Sequence, residues 1–141
     1  MRAVMDTNVL VAGLRSQRGA AHELLRLLKR RKWTLVLSNT VLTEYQEVPH
    51  REQSALPYNH EEIERLLDEL CLHAERRELR SRWWPVLQDA DDEAMVHLAV
   101  ESRTECLVTH NARHLRPALK LGVSVVTPAE FLRELRKYDD H

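Results

Sequence analysis

The regular alternation of short apolar runs with longer amphipathic segments constrains the fold of this chain more than any other feature. Four runs are short and apolar enough to be buried strands, and they span residues 3–5, 34–37, 106–109 and 123–126. Helical patterns separate or follow these runs, so strand and helix alternate along the chain. With right-handed crossovers, this order predicts an α/β fold in which a central parallel sheet lies between layers of helices.

Five segments carry apolar residues at helical spacing and define the expected helices. They lie at residues 20–32, after the N-cap Ser38, around 63–70, at 91–101 after the N-cap Asp89, and from residue 128 onward. The stretch from Pro49 to Asn59 contains two prolines and no periodicity, so a loop is expected there. A polar turn is expected at residues 6–8, directly after the first strand.

Length and composition limit the class of protein. The 141 residues match a single domain spanning residues 1–141, and the formal net charge of −1 excludes a polybasic nucleic-acid coat. Three glycines in the whole chain argue against an all-β sandwich or barrel. Two distant cysteines exclude a disulfide scaffold, and the first apolar runs are too short for a signal core or a membrane span. We therefore expect a cytoplasmic protein without a membrane partner.

Three acidic residues are expected at one edge of the predicted sheet. Asp6 directly follows the first strand, Glu44 lies in the helix after the second strand, and Asp92 lies near the start of the helix at 91–101. On a helical wheel, Glu44 is at the edge of an apolar stripe, and Asp92 shares a face with the apolar residues that follow it. Since open parallel sheets place their sites outside the carboxyl ends of the strands, we expect one shared crevice.

Carboxylates that converge in this way need a counter-ion. Their repulsion and desolvation would raise at least one pKa strongly unless a cation neutralises them. Carboxylate oxygens with open water positions suit Mg²⁺ or Mn²⁺, and such an ion implies hydrolysis of phosphate esters by an activated water. Each acid also has a plainer interpretation: Asp6 in an Asx-turn, Glu44 as a solvated surface acid, and Asp92 in a capping arrangement with Asp89.

Four motifs, taken in order along the chain, resemble those of a known family. They are M-D-T-N-V-L at the first strand, S-x-x-x-x-x-E-Y in the helix after Ser38, D-x-D-D before an apolar helix, and L-V-T-H-N after the next strand. Together they make the chain similar to PIN domains, and more narrowly to the VapC-like branch, whose members are toxin components of toxin–antitoxin systems. The resemblance extends from Arg2 to about Leu132.

The resemblance implies a three-layer α/β/α fold, a ribonuclease site that depends on Mg²⁺ or Mn²⁺, and an RNA substrate. It also implies a cognate antitoxin and frequent assembly into a homodimer. Asp6, Glu44 and Asp92 fall on the three principal acidic positions of the family, where they would hold the metal and perform catalysis. Asp89 or Asp91 could assist as a further ligand, although the helix register favours Asp92.

Three polar residues accompany these acids in the family pattern. Asn8 matches the family's polar turn, where its amide would orient Asp6 or a metal-bound water, and Thr109 would steady the end of its strand. Asn111 stands where many relatives carry a fourth Asp. Asn111 could ligate a metal through its carbonyl oxygen but brings no charge, so a one-metal site or reduced activity becomes more plausible.

Basic residues offer contacts for the RNA backbone. Arg15 and Arg18, in the expected loop after Asp6, are nearest in sequence to the acidic site and are the preferred phosphate contacts. Two further basic clusters, at 29–32 and at 76–82 before Trp83 and Trp84, are interpreted as solvated helix ends and packing residues rather than as an RNA surface. His110 and His114 have the spacing of a zinc pair without a metalloprotease frame, which favours solvated histidines.

Two other functions remain open at this point. A catalytically weak PIN-like module would bind RNA or a protein without cutting, and Asn111 is the feature that supports it. An enzyme that uses Asp6 as a nucleophile for phosphoryl transfer is the other. Against the latter, Asn8 replaces the second Asp of the D-x-D motif that phosphatases of the dehalogenase type place there.

Overall fold

A five-stranded, all-parallel sheet forms the centre of the molecule in the computed structural model, which describes residues 1–80, 87 and 89–139. The order across the sheet is β3-β2-β1-β4-β5. The strands are β1 (Arg2–Met5), β2 (Thr34–Leu37), β3 (Ala74–Arg76), β4 (Cys106–Val108) and β5 (Ser124–Val126). The predicted α/β fold with a parallel central sheet is thereby confirmed.

Six α-helices and two 3₁₀ segments connect the strands within the described residues. They are α1 (Thr7–Arg15), α2 (Ala20–Lys29), α3 (Asn39–Arg51), α4 (His60–Leu72), α5 (Ala90–Ser102) and α6 (Pro128–Asp139), with 3₁₀ turns at Gln53–Ala55 and Ala112–Leu121. Ser38 caps α3 and Asp89 caps α5, as the sequence predicts. Among the described residues, no helix is long and apolar enough to cross a membrane.

The middle strand, β1, carries the residues that position the candidate site. Ala3, Val4 and Met5 are fully buried because β1 has β2 on one side and β4 on the other. The backbone N–H of Asp6 donates to the carbonyl of Val108 at 2.8 Å, so the pairing with β4 continues one residue beyond the strand. The carboxyl end of the central strand therefore delivers Asp6 to the edge of the sheet.

The polar turn expected at residues 6–8 is wrong, because helix α1 begins at Thr7. Asp6 is its N-cap, and its side chain accepts a hydrogen bond from the backbone N–H of Asn8. The apolar residues that follow, including Val9 and Leu10, are buried in the core. A run this uniformly apolar gives no helical periodicity, which is why the pattern did not reveal the helix. Arg15, expected in a loop, is the last residue of α1.

Other differences concern the ends of elements and one edge strand. Helix α2 ends at Lys29 rather than at residue 32, and Arg31 follows it with a φ of 59°. Helix α3 continues through Pro49 to Arg51 because a proline in the last turn removes a single backbone hydrogen bond. Strand β3 has no counterpart among the predicted strands, since an edge strand of three partly exposed residues has no apolar run.

Candidate active site

Asp6 is held at the carboxyl end of β1 by two hydrogen bonds. Its Oδ1 accepts from the backbone N–H of Asn8 at 3.2 Å, and its Oδ2 accepts from Thr109 Oγ1 at 2.7 Å. Asp6 is 8 % exposed, and this burial raises its pKa above the ordinary value, although the hydrogen bonds from Thr109 and Asn8 act in the opposite direction. Asp6 is therefore held in one orientation, while burial still disfavours its charged form.

Glu44 is placed beside Asp6 by its neighbour Tyr45. The Tyr45 ring is fully buried, and its hydroxyl donates to the carbonyl of Met5, so α3 is anchored one residue before Asp6. Glu44 itself is half-buried on the same helix. Desolvation, then repulsion by Asp91 and Asp6, raise the pKa of Glu44 to about 7. Glu44 is therefore not the solvated surface acid of the plainer interpretation.

The first turn of α5 contributes two further carboxylates. Asp91 lies within hydrogen-bonding reach of Glu44, and the shared proton that this contact requires favours the neutral form of Glu44. Desolvation raises the pKa of Asp92 to about 6, with further contributions from the negative charges of Asp89 and Asp6. Asp6, Glu44, Asp91 and Asp92, the facing acids, are thus coupled by charge at the edge of the sheet.

Asp89 caps helix α5 and is not one of the four facing acids. Its Oδ1 accepts from the backbone N–H groups of Asp91 and Asp92 at 2.9 Å and 3.1 Å, which fixes the first turn of α5. The capping arrangement considered for Asp89 is therefore present. It leaves the side chains of Asp91 and Asp92 directed to other partners, so capping by Asp89 and a role for Asp92 are compatible.

The donor set fits a hard divalent cation. It consists of carboxylate oxygens whose pKa values are raised by burial and by one another, which is the state expected of acids that lack a counter-ion. Thr7 Oγ1 is buried without a partner in hydrogen-bonding geometry, and it faces Glu44, whose pKa it lowers. Within the described part of the chain, no three His, Cys, Asp or Glu side chains are grouped closely enough to hold a metal ion as they stand, so binding an ion requires these side chains to move together.

Two of the four acids line an open cleft of about 320 Å³, which also contains Glu52 and two cationic groups. Asp6 and Glu44 lie on its wall together with Arg15, from the end of α1, and Arg51, from the end of α3. Arg15 was expected here from its position in the sequence. Among the described residues, Arg18 does not line this cleft: it is exposed in the turn before α2, where it hydrogen-bonds Ser16.

The polar residues around Asp6 form a second set of contacts. Thr109 Oγ1, besides donating to Asp6, accepts from the backbone N–H of Asn111 at 3.0 Å. The Asn8 side chain accepts from the backbone N–H of His110 at 3.4 Å, so the backbone of Asn8, not its amide, contacts Asp6. Asn111 is exposed at the start of the 3₁₀ segment.

Sequence reasoning passed over or ranked low four residues near the acids. Arg51 follows Glu44 by seven positions, two turns of helix, so a longer α3 would have placed both on one face. Asp91 was ranked behind Asp92 although it contacts Glu44. His114 was interpreted as solvated, yet its charge lowers the pKa of Asp92, as that of His110 lowers the pKa of Asp6. Part of the basic and aromatic cluster, residues 82–84, lies outside the described residues.

Comparison with known proteins agrees with this architecture. A model of the PIN domain family matches residues 2–113. An α/β protein with acids at the carboxyl edge of a parallel sheet is the class that the fold and the site define, and the chain belongs to the PIN domain family. No curated protein matches the chain.

Three solved structures illustrate the likeness of the fold. VapBC2 from Rickettsia felis, bound to a DNA fragment from its promoter, matches at 16% identity with a TM-score of 0.59, covering 90% of this chain and 98% of that one. FitAB bound to the IR36 DNA fragment matches at 16% identity with a TM-score of 0.56, covering 89% and 94%. A domain of a functionally unknown protein from Methanocaldococcus jannaschii matches at 18% identity with a TM-score of 0.54, covering 88% of each chain.

Proposed function

We propose that this protein is a metal-dependent endoribonuclease that hydrolyses phosphodiester bonds in single-stranded RNA. The observation that carries the proposal is the group of four acids coupled by charge, two of which, Asp6 and Glu44, line a cleft with two arginines, in a chain of the PIN family. Carboxylates alone would repel a polyanion. A divalent cation, together with Arg15 and Arg51, reverses that repulsion at the place where a phosphate must bind.

Asp6, Glu44, Asp91 and Asp92 would hold Mg²⁺ or Mn²⁺. Such an ion, when bound, supplies a water of lowered pKa and neutralises charge on the phosphate oxygens. Asp89 fixes the turn that carries Asp91 and Asp92. Asn111, uncharged and exposed two residues after Thr109, supports a site with a single ion.

The chain's own residues contribute in three ways: the protonation of Glu44, the fixed orientation of Asp6 and the positive charges of two arginines. Glu44, whose pKa is raised to about 7, is partly protonated near neutral pH and would have to ionise in order to hold a cation. Thr109 and the backbone of Asn8 keep Asp6 in a single orientation during that change. Arg15 and Arg51 bind phosphates on either side of the scissile bond, which aligns the strand along the cleft.

We further propose that the protein is the toxin half of a toxin–antitoxin pair. Two of the structural relatives, VapBC2 and FitAB, are described as bound to DNA, and VapBC2 is bound to a fragment of its own promoter. By analogy with the VapC-like branch, an antitoxin would cover the cleft, and two copies of the chain would pair in the cytoplasm. Purification with and without the neighbouring reading frame, followed by size-exclusion chromatography with light scattering, tests both the partner and the homodimer.

The first test is cleavage of a mixed single-stranded RNA with Mn²⁺, Mg²⁺ or EDTA. The native protein is expected to cut only with a divalent ion, and Asp6→Asn and Glu44→Gln to lose activity by at least a hundredfold. Glu47→Gln is the matched control, because Glu47 is exposed less than one turn further along the same helix. Equal activity in all four proteins would assign the cutting to a contaminant and reject the proposed site.

A non-cutting PIN-like module is the second candidate, and the missing charge at Asn111 favours it. It predicts RNA binding, measured by fluorescence anisotropy, without cleavage under any metal. Asn111→Asp separates the two functions. If the substitution creates or strengthens cleavage, the native site is a weakened nuclease; if the variant still does not cut, the binding module is the better account.

A further inference from the structure

Two histidines join the end of α3 to the start of α4, apart from the acidic residues of the candidate site. His50 lies in the last turn of α3, and His60 is the first residue of α4. Their Nδ1 atoms are 2.8 Å apart, and the rings stack with centroids separated by 5.0 Å and planes inclined by 24°. Glu64, one turn into α4, contacts Nε2 of His50 at 2.5 Å through its Oε1.

The carboxylate of Glu64 sets the tautomer of His50. A carboxylate is an acceptor, so Nε2 of His50 carries the proton that it receives. In the neutral ring, Nδ1 of His50 then has a bare lone pair that faces Nδ1 of His60. Only one proton can lie between these two nitrogens, since a second would place two N–H donors face to face.

The same arrangement suits a metal ion in place of the shared proton. Imidazoles that bind metals commonly donate their other N–H to a carboxylate, which orients the ring and raises its basicity. Two nitrogens bound to one ion at about 2.0–2.1 Å are separated by roughly 2.9–3.4 Å. The observed 2.8 Å needs an opening of roughly 0.1–0.6 Å, and both rings must turn so that their lone pairs converge on the ion instead of on each other, a change confined to side chains at helix ends.

Access and local charge also permit a cation. The side chain of His50 is 25% exposed and that of Glu64 is 54% exposed, so an ion can reach the pair from solvent. The C-terminal end of α3 has a partial negative charge that attracts cations. The opposite partial charge at the start of α4 is offset by Glu61 and Glu62 in its first turn.

We propose that His50 and His60 form a metal site for a divalent ion that prefers imidazole, such as Ni²⁺ or Zn²⁺, with Glu64 holding His50 in the ligating tautomer. Imidazole nitrogens favour these ions, whereas carboxylate oxygens favour Mg²⁺ and Mn²⁺, so the two sites select different metals. Water fills the remaining coordination positions, which makes the ion exchangeable. Because α3 also carries Glu44 and Arg51, the ion fastens a wall of the cleft to α4 across residues 52–59.

The test is calorimetric titration of the untagged full chain with Ni²⁺. One ion is expected to bind per chain, at least tenfold more weakly in His60→Ala and several-fold more weakly in Glu64→Gln. His73→Ala is the matched control, since it removes a histidine from the other end of α4 and should bind Ni²⁺ like the native protein. Native-like Ni²⁺ binding by His60→Ala, or an equal loss in His73→Ala, overturns the proposal.

Two controls distinguish a specific loss of Ni²⁺ binding from unfolding of the variant and from damage to the acidic site. His60 is exposed, so His60→Ala is expected to unfold at the native temperature in EDTA; His50→Gln provides a second variant that keeps a polar side chain at the other position. Asp6→Asn should keep Ni²⁺ binding and lose Mn²⁺ binding, whereas His60→Ala should show the reverse. Loss of Ni²⁺ binding in Asp6→Asn would place the ion among the carboxylates and reject the histidine site.

Discussion

At the scale of single residues, burial raises the pKa values of the acids in the candidate site, and hydrogen bonds donated to them lower these values. Asp6 loses solvation and gains Thr109 and the backbone of Asn8. For Glu44 and Asp92 desolvation and nearby negative charge prevail, and their pKa values rise to about 7 and about 6. The sequence could predict that these acids converge, because each follows a strand or faces an apolar stripe. It could not rank Asp91 against Asp92, since neighbouring residues in a first turn differ in direction only once the helix is placed.

Removing the Thr109 hydroxyl should weaken metal binding. Thr109→Val deletes the 2.7 Å hydrogen bond to the Asp6 carboxylate at nearly constant volume. A hydrogen bond to a charged group contributes about 1.5–3 kcal/mol, so Mn²⁺ affinity should fall by about 10- to 100-fold. Titration calorimetry measures this, and Thr109→Ser, which keeps the hydroxyl, should bind Mn²⁺ nearly as tightly as the native protein. Unchanged affinity in Thr109→Val would show that the hydroxyl does not prepare Asp6.

The metal-free protein should lose stability as the pH rises through neutrality. Glu44 and Asp92 have higher pKa values folded than unfolded, so the folded state binds more protons between the two values. Their favourable contribution is complete below the unfolded pKa values, near 4, and is lost as the pH passes 6 and then 7.

Urea denaturation in EDTA at several pH values measures this slope. Glu44→Gln cannot ionise at this position and should flatten the part of the slope near pH 7, while Glu47→Gln should leave it unchanged. A native slope that Glu44→Gln does not alter would mean that another group titrates there.

At the scale of elements, helix α1 is the feature that pattern reasoning missed, and its packing explains its composition. Gly13 lies where α1 meets α2: a Cβ there would be 2.6 Å from Leu25 Cδ1 and 3.1 Å from the carbonyl oxygen of Ala21. The strands β1 and β2 were predictable because their residues are apolar and fully enclosed. Strand β3 was not, because an edge strand can include Glu75 and Arg76 and still pair with β2.

Gly13→Ala should destabilise the protein despite the better helix propensity of alanine. Overpacking typically costs about 1–3 kcal/mol, and propensity returns about 1 kcal/mol, so the free energy of unfolding should fall by up to about 2 kcal/mol. Urea denaturation gives the value.

The double-mutant cycle with Leu25→Ala supplies the control for this contact. Leu25→Ala alone should cost about 2–5 kcal/mol, and less in the Gly13→Ala background because the added methyl group occupies part of the space. Additive losses would show that α1 and α2 do not meet closely at Gly13.

At the scale of the whole molecule, the four facing acids come from three separate elements: the end of β1, the middle of α3 and the start of α5. The general rule for parallel sheets predicted a shared crevice for three of them, Asp6, Glu44 and Asp92, without Asp91. The sequence did not predict the cationic edge of the cleft completely, because Arg51 belongs to the part of α3 beyond Pro49, where the pattern indicated a loop. Arg15 was predicted near the acids because it was expected in the loop after Asp6, whereas it is the last residue of helix α1.

Because the ligands belong to separate elements, metal binding should stabilise the entire fold rather than one loop. At a Mn²⁺ concentration of 100 times Kd, the free energy of unfolding should rise by about 2.7 kcal/mol. Thermal unfolding with Mn²⁺ and after chelation measures the shift. Asp6→Asn should show none, and His60→Ala should show the native shift. An equal Mn²⁺ shift in Asp6→Asn would mean that the ion binds elsewhere.

The pairing of β1 with β4 has a consequence for the chain as it is synthesised. Thr109 reaches Asp6 across 103 positions of sequence, and β4, which flanks β1, lies equally far along the chain. A ribosome adds these residues many seconds after Asp6 has left the exit tunnel, at rates of about 5–20 residues per second. Until then β1 lacks its pairing with β4, and Asp6 lacks the hydrogen bond from Thr109. A nascent chain would therefore acquire an assembled acidic site only when most of it has been translated.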